Sequence, residues 1–367
     1  MQKMKICFLT HNVKSDNGAG VFSQKIISFA KRELNVEVEI FVTDSDDSDN
    51  KQIFNRQIGR LKSLLNIRRA FKTCDIVHAL DTYPYGVLAA ILLLGIKRPL
   101  IITAVGTGAI GHLYRKKYFW LMKYAYRKAD KVVAISNFTK REILKKVKEI
   151  NIDVINHGVD KKLLKPVTDD GSLNVAKDFK PYILSVGSLR YRKGYRLSIP
   201  VFKMVNDRFP DLNYVIVGKI YAESEIKRLK NLAKELGVED KVFFLTEVNS
   251  PTILQSLYQN AELFILMSQN TGHDVEGFGL VFLEAAANKL PVVGTKDCGI
   301  EDATLDGQNG YLVEENDVEG TANRVIEILS DQNLRDTMSL SSKKLAEKMT
   351  WDNMLVQYKK IYEKLVS

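Results

Sequence analysis

The chain has 367 residues, 45% of them hydrophobic and 27% charged, the balance of a globular protein and more than one ordinary core accommodates, so two domains are expected. Its formal charge of +10 is uneven, with 32 Lys and Arg against 18 Asp and Glu through residue 180 and 22 against 26 beyond it, which gives the first half an affinity for anions: nucleic acid, a membrane surface or a phosphorylated substrate. Three scattered cysteines, Cys7, Cys74 and Cys298, exclude a disulfide framework and a cysteine metal site and point to a reducing, cytoplasmic setting.

The apolar stretch after Met1–Lys5 is too short for a signal-peptide core. Residues 5–10 read as a buried strand, followed by a polar loop with Gly18 and Gly20 and a helix over 21–33. Strand, glycine loop and helix is how α/β folds present phosphate sites, although a plain tight turn is an equal reading of two glycines. A second strand covers 36–43 and a solvated acidic loop 44–50. A basic helical stretch with Arg56, Arg60, Arg68 and Arg69 runs over 51–72. A strand at 75–79 leads to an apolar helix at 86–96, too short to span a membrane, then a strand at 99–104 and the loop Val105-Gly-Thr-Gly108. His112 reads as a satisfied structural histidine.

Residues 112–131 interleave Arg115, Lys116, Lys117 and Lys123 with Tyr118, Trp120 and Tyr124. Such a pattern suits an interfacial helix on anionic lipid, and equally a core helix with a solvated charged face. A strand at 129–136, a basic helix at 139–149 and a strand at 152–155 complete a first domain, 1–170. The polar stretch 166–181, with Asp169-Asp-Gly-Ser172, reads as the interdomain linker.

The second domain, 181–345, opens with a strand at 182–186 and the loop Gly187-Ser-Leu-Arg-Tyr-Arg-Lys-Gly194. Its clustered cations, Arg190, Arg192 and Lys193, suit a diphosphate; a merely solvated basic loop is the competing reading. Strands are expected at 213–218, 241–245, 263–267, 290–295 and 310–313. Between the third and fourth lies the most informative stretch, Asp274-Val-Glu-Gly-Phe-Gly-Leu-Val-Phe-Leu-Glu-Ala-Ala-Ala-Asn288. Its run from Leu280 to Ala287 is apolar on every side, which predicts a helix buried all round. One carboxylate, Glu284, stands inside it and must have a hydrogen-bonding partner. Gly277 and Gly279 let backbone amides approach a ligand ahead of a helix N-terminus, where a phosphate is favoured. Glu276 at the mouth and Glu284 one to two turns inside fit a ligand with a central phosphate and hydroxyls at both ends. A nucleotide sugar is such a ligand. The tail from 334 is helical, with an apolar face of Trp351, Tyr358 and Tyr362.

The Glu-Gly-Phe-Gly-Leu-Val-Phe-Leu-Glu segment resembles the signature of family-four retaining glycosyltransferases, and the resemblance spans nearly the whole chain, more loosely in the first domain. It implies the GT-B fold: two Rossmann-like parallel-sheet α/β domains facing a cleft, with a C-terminal helix, 346–367, crossing back to the first. By that resemblance Glu276 lies by the donor sugar and Glu284 binds the ribose hydroxyls. The backbone of Gly277, Phe278, Gly279 and Leu280 holds the diphosphate with Lys193, and Gly18 and Gly20 face the donor phosphates. Two positions depart from the family. Val105 stands where many members have a His near the reacting carbon, and Ser188 where they have an Arg. Arg190 or Arg192 then takes the vacant role without a positional match. Cys298-Gly299 sits where relatives often have Gly-Gly.

The resemblance implies transfer of a sugar from a nucleotide diphosphate to an acceptor hydroxyl with retention. It needs no metal, cofactor or enzyme nucleophile. GDP-mannose is slightly favoured over UDP-sugars, and a lipid-linked or cell-envelope acceptor fits the basic first domain, at the inner face of a membrane touched through 112–131. A sugar-nucleotide epimerase or a phosphorylase on the same fold would not need the two-glutamate spacing. Nucleic acid is set aside because no helix-turn-helix or zinc pattern appears. A catalytically silent nucleotide-sugar binder remains the rival, given Val105 and Ser188.

Overall fold

A computed structural model describes residues 3–14, 18–44, 50–53, 59–167, 172–272 and 274–366. Most of the expected acidic loop, Arg56 and the Asp169–Gly171 stretch lie outside the described residues. The chain forms two compact units, residues 1–157 with 351–367, and residues 158–350.

The first unit carries seven parallel strands: β1 (Lys5–Thr10), β2 (Glu37–Val42), β3 (Lys51–Gln52), β4 (Ile76–Ala79), β5 (Leu100–Ala104), β6 (Lys131–Ala134) and β7 (Ile152–Val154). Their order is β3-β2-β1-β4-β5-β6-β7, so the strand order reverses at β1, the kind of switch point where ligands bind beyond the strands' carboxyl ends. β4 and β5 are buried along their whole length, because right-handed crossovers lay helices on both faces of the sheet. The short strand β3 falls where only helix is expected, and the helix there is Arg60–Thr73. Helix Trp351–Val366 returns to this unit. Its Tyr362 hydroxyl pairs with His78 Nδ1 at 2.9 Å, and Thr103 Oγ1 lies 2.8 Å from the other ring nitrogen.

The second unit has six parallel strands: β8 (Tyr182–Val186), β9 (Asn213–Val217), β10 (Val242–Leu245), β11 (Phe264–Leu266), β12 (Val292–Thr295) and β13 (Gly310–Val313). Their order is β10-β9-β8-β11-β12-β13. Three boundaries differ from the sequence reading. Residues 158–167 join this unit, not the first: Val159 donates to Met349 O (2.9 Å), and Gln255 and Gln259 donate to Lys165 O (2.9 and 3.0 Å). The expected linker contains a helix, Ser172–Lys177, packed on helix Pro251–Asn260. The tail breaks at Met349–Thr350, so helix Gln332–Lys348 stays in the second unit. Backbone partners made far along the chain decide all three, and local composition does not carry them.

Candidate functional site

The loop after β8 and the turn before helix Leu280–Ala287 meet in the second unit. Lys193 Nζ lies 2.5 Å and Arg192 Nη1 2.8 Å from Glu276 Oε2, and Arg192 Nε lies 3.4 Å from Asp274 Oδ1. Burial alone would push the Glu276 carboxyl up, but the Lys193 and Arg192 charges and hydrogen bonds overcome it and bring the pKa down to about 2. Gly194 (φ 69°) makes this close approach feasible, since a Cβ there would stand 1.7 Å from Met267 O at the end of β11. Arg190 is placed differently: its Nε donates to Ser188 Oγ at 2.8 Å and its guanidinium lies 4.8 Å from the Tyr221 ring centre. Arg190 thus occupies the neighbourhood of the position where the family's arginine is missing.

Gly279 caps the helix in the left-handed region (φ 76°), and a Cβ would meet Ile300 at 2.9 Å. The Gly299 amide donates to Glu276 O at 2.7 Å and anchors the turn from below. Phe278 is buried. The helix is not buried all round: Leu280, Val281 and Glu284 are half-buried and form one partly open stripe, while Phe282, Leu283 and Ala285–Ala287 face the core. Glu284 does have the required partner, Tyr258, whose hydroxyl donates to Oε2 at 3.1 Å. Burial raises its carboxyl to about 7 against the opposing effect of that bond, and the nearby Asp160 charge adds to the rise. One carboxylate oxygen is thereby used inside the protein. The other, Oε1, makes no hydrogen bond among the described residues.

Gly18 and Gly20 lie in the first unit, on the opening turn of helix Gly18–Glu33. They are not equivalent: a Cβ on Gly20 would meet Lys14 O at 2.1 Å, whereas one on Gly18 would meet nothing within 4 Å among the described residues. The Val105–Gly108 loop turns directly into helix Gly106–Ile110. His112 stacks on Tyr83 (centroids 4.0 Å apart), and its Nδ1 has no hydrogen-bond partner among the described residues, so aromatic packing holds the ring.

Two residues escaped the sequence reading. Tyr258 reaches Glu284 from another helix, and no local pattern marks it. Asp81 follows β4, accepts from the Thr82 amide at 2.6 Å and lies against Gly108; burial raises it to about 8. An acid placed directly after a buried strand, Ala79-Leu-Asp81, is the signal that could have found it.

Two family profiles match the chain: Glycosyltransferase Family 4 over residues 17–163, and Glycosyl transferases group 1 over residues 172–345. An uncharacterized glycosyltransferase of Methanocaldococcus jannaschii is 25% identical over 94% of this chain and 95% of its own. A GDP-mannose-dependent alpha-(1-6)-phosphatidylinositol monomannoside mannosyltransferase of Mycolicibacterium smegmatis is 26% identical over 72% of each. Among solved structures, Anabaena HepE in complex with UDP superposes with a TM-score of 0.80 over 98% of this chain and 100% of that one, at 19% identity. With both units matched and the fold shared along its length, the chain belongs to the family-four glycosyltransferases of GT-B fold.

Proposed function

We propose that the protein is a retaining hexosyltransferase that takes its sugar from a nucleotide diphosphate, GDP-mannose before UDP-sugars, and passes it to an acceptor hydroxyl. The observation that carries the reading is the Lys193–Glu276–Arg192 cluster at a glycine turn that opens a helix bearing Glu284. In the free protein the two cations are neutralised by Glu276. A bound diphosphate takes over their charge, and Glu276 turns to the sugar hydroxyls. The bond from the anomeric carbon to the phosphate oxygen breaks while the acceptor oxygen attacks on the same face, its proton passing to the departing phosphate. Lys193 and Arg192, with Arg190 in the place left by Ser188, stabilise the diphosphate as its charge grows. The amides of Gly277–Leu280 add to this at the helix N-terminus. The ionised Glu284 accepts the ribose hydroxyls through Oε1. Positive side chains supply the charge a metal would, so activity is expected to survive chelation.

Support for GDP-mannose comes from the Asp274-Val-Glu-Gly-Phe-Gly form of the motif and from the donor named for the mycobacterial relative. The acceptor is assigned to the basic first unit, as a lipid-linked or cell-envelope glycan at a membrane surface. Thermal shift with a panel of nucleotide sugars identifies the donor, a ligand at a hundred times its Kd adding about 2.7 kcal/mol. Turnover of that donor by Lys193→Ala and Glu276→Ala then tests the cluster, with losses of about 100- to 1,000-fold expected while the fold persists. Unchanged rates would overturn the assignment, and tight binding without any turnover by the unmodified protein would favour the silent binder.

A further inference from the structure

Helices Arg60–Thr73, Val87–Leu92 and Lys116–Lys128 follow right-handed crossovers in the same direction across the first sheet and lie side by side on one of its faces. Arg68 joins the first to the second by donating to Leu92 O and to Leu94 O. The first and third of these helices hold ten Lys and Arg and not one Asp or Glu. A surface helix made soluble by charge ordinarily mixes both signs. Here one sign is kept, on both helices that flank the second.

The exposed stripes carry a second regularity. On helix Lys116–Lys128 the outward positions run Lys116 and Lys117, then Trp120, Leu121 and Tyr124, then Arg127 and Lys128. The centre is apolar and both ends are cationic. Trp120 is 69% exposed, with Lys123 Nζ 5.1 Å from its ring centre. Helix Arg60–Thr73 repeats the arrangement with exposed Leu61 and Leu65 between Arg60 and Arg69, and Ile91 and Leu94 project between the two. Seven of the fifteen large apolar side chains exposed among the described residues lie on these three helices or, for Leu94, on the turn that ends the second, which is a concentration and not the usual scatter.

We infer that this three-helix face is a docking surface for an anionic lipid bilayer, with Trp120, Leu121 and Tyr124 entering the headgroup region and the flanking Lys and Arg engaging acidic headgroups. The inference deepens the membrane side of the proposed function by extending it from one helix to three. Nucleic acid would match the charge, but it gives no reason for aliphatic Leu61, Leu65, Ile91 and Leu94 to stay in water, whereas a bilayer interface does.

Trp351 is buried, so a change in tryptophan emission on adding vesicles reports Trp120. The full-length protein should shift its emission to the blue and sediment with phosphatidylcholine vesicles containing phosphatidylglycerol, but not with phosphatidylcholine alone. High salt should release it. Trp120→Ser should abolish the emission shift and weaken sedimentation, and Lys116→Gln with Lys117→Gln should weaken it about tenfold or more. These side chains are exposed, so the variants should keep the unmodified thermal transition and donor turnover. Vesicle binding without turnover of any nucleotide sugar would sink the transferase reading and leave this surface intact. Equal sedimentation with both vesicle types, or binding to duplex nucleic acid in place of vesicles, overturns the inference.

Discussion

Glu276 and Glu284 sit in one stretch of chain, yet the protein holds them in opposite protonation regimes. Glu276, brought down to about 2 from an ordinary 4.5, contributes stability that is present above pH 4.5 and lost as pH falls through 2. Glu284, raised to about 7, does the reverse: the folded state favours its proton, so its burden on stability appears as pH rises from 4.5 through 7. Glu284→Gln should therefore gain stability over the unmodified protein between pH 5 and pH 8 by on the order of 1–3 kcal/mol, read from urea unfolding at each pH. Donor binding should run the other way. In the proposed function it is the ionised Glu284 that accepts the ribose hydroxyls, so the donor Kd should fall about tenfold across the same range as the carboxylate fraction rises. In Glu284→Gln it should stay flat, and a Kd independent of pH in the unmodified protein would remove Glu284 from the donor site. The sequence makes Glu276, Glu284 and Lys193 legible because residue type and spacing are local. Tyr258 is not, since its hydroxyl reaches Glu284 only once two helices have packed.

Among elements, the turn 276–279 and the helix it opens depend most on one residue. Gly279 needs a left-handed backbone and has Ile300 pressed against it. Gly279→Ala should cost about 1–3 kcal/mol and weaken donor binding through misplaced amides. A urea midpoint and donor affinity both unchanged would show the turn to be tolerant. Strands β1, β8 and β13 are readable to the residue, because continuous apolar runs between polar loops describe buried parallel strands well. The helix Leu280–Ala287 is readable as apolar but not in its burial: the stripe through Leu280, Val281 and Glu284 stays partly open, and an apolar run cannot say which of its sides meets a neighbour. Helix Ser172–Lys177 was hidden for the opposite reason, its polar sequence reading as linker.

For the whole molecule, the division into two parallel-sheet units follows from the rhythm of the chain, while the crossing points at 157–158 and 350–351 do not. His78 explains why the last helix matters to the first unit. Burial lowers its pKa to about 3, so it stays neutral and joins strand to helix by hydrogen bonds to Thr103 and Tyr362. Tyr362→Phe takes the partner from a fully buried ring nitrogen. A cost of about 1–3 kcal/mol is expected, as lost amide-exchange protection in β4 and β5 while β8 and β9 are unaffected. Equal loss in both sheets would mean that the two units do not unfold separately.

The discontinuous first unit also orders events during synthesis. Strands β1 to β7 emerge from the ribosome before the segment that carries Trp351, Tyr358 and Tyr362, and the entire second unit is translated in between. Until that segment appears, Phe22 and the His78 side of the nascent sheet lack their cover, so the first unit completes its core only after the whole of the second has been made.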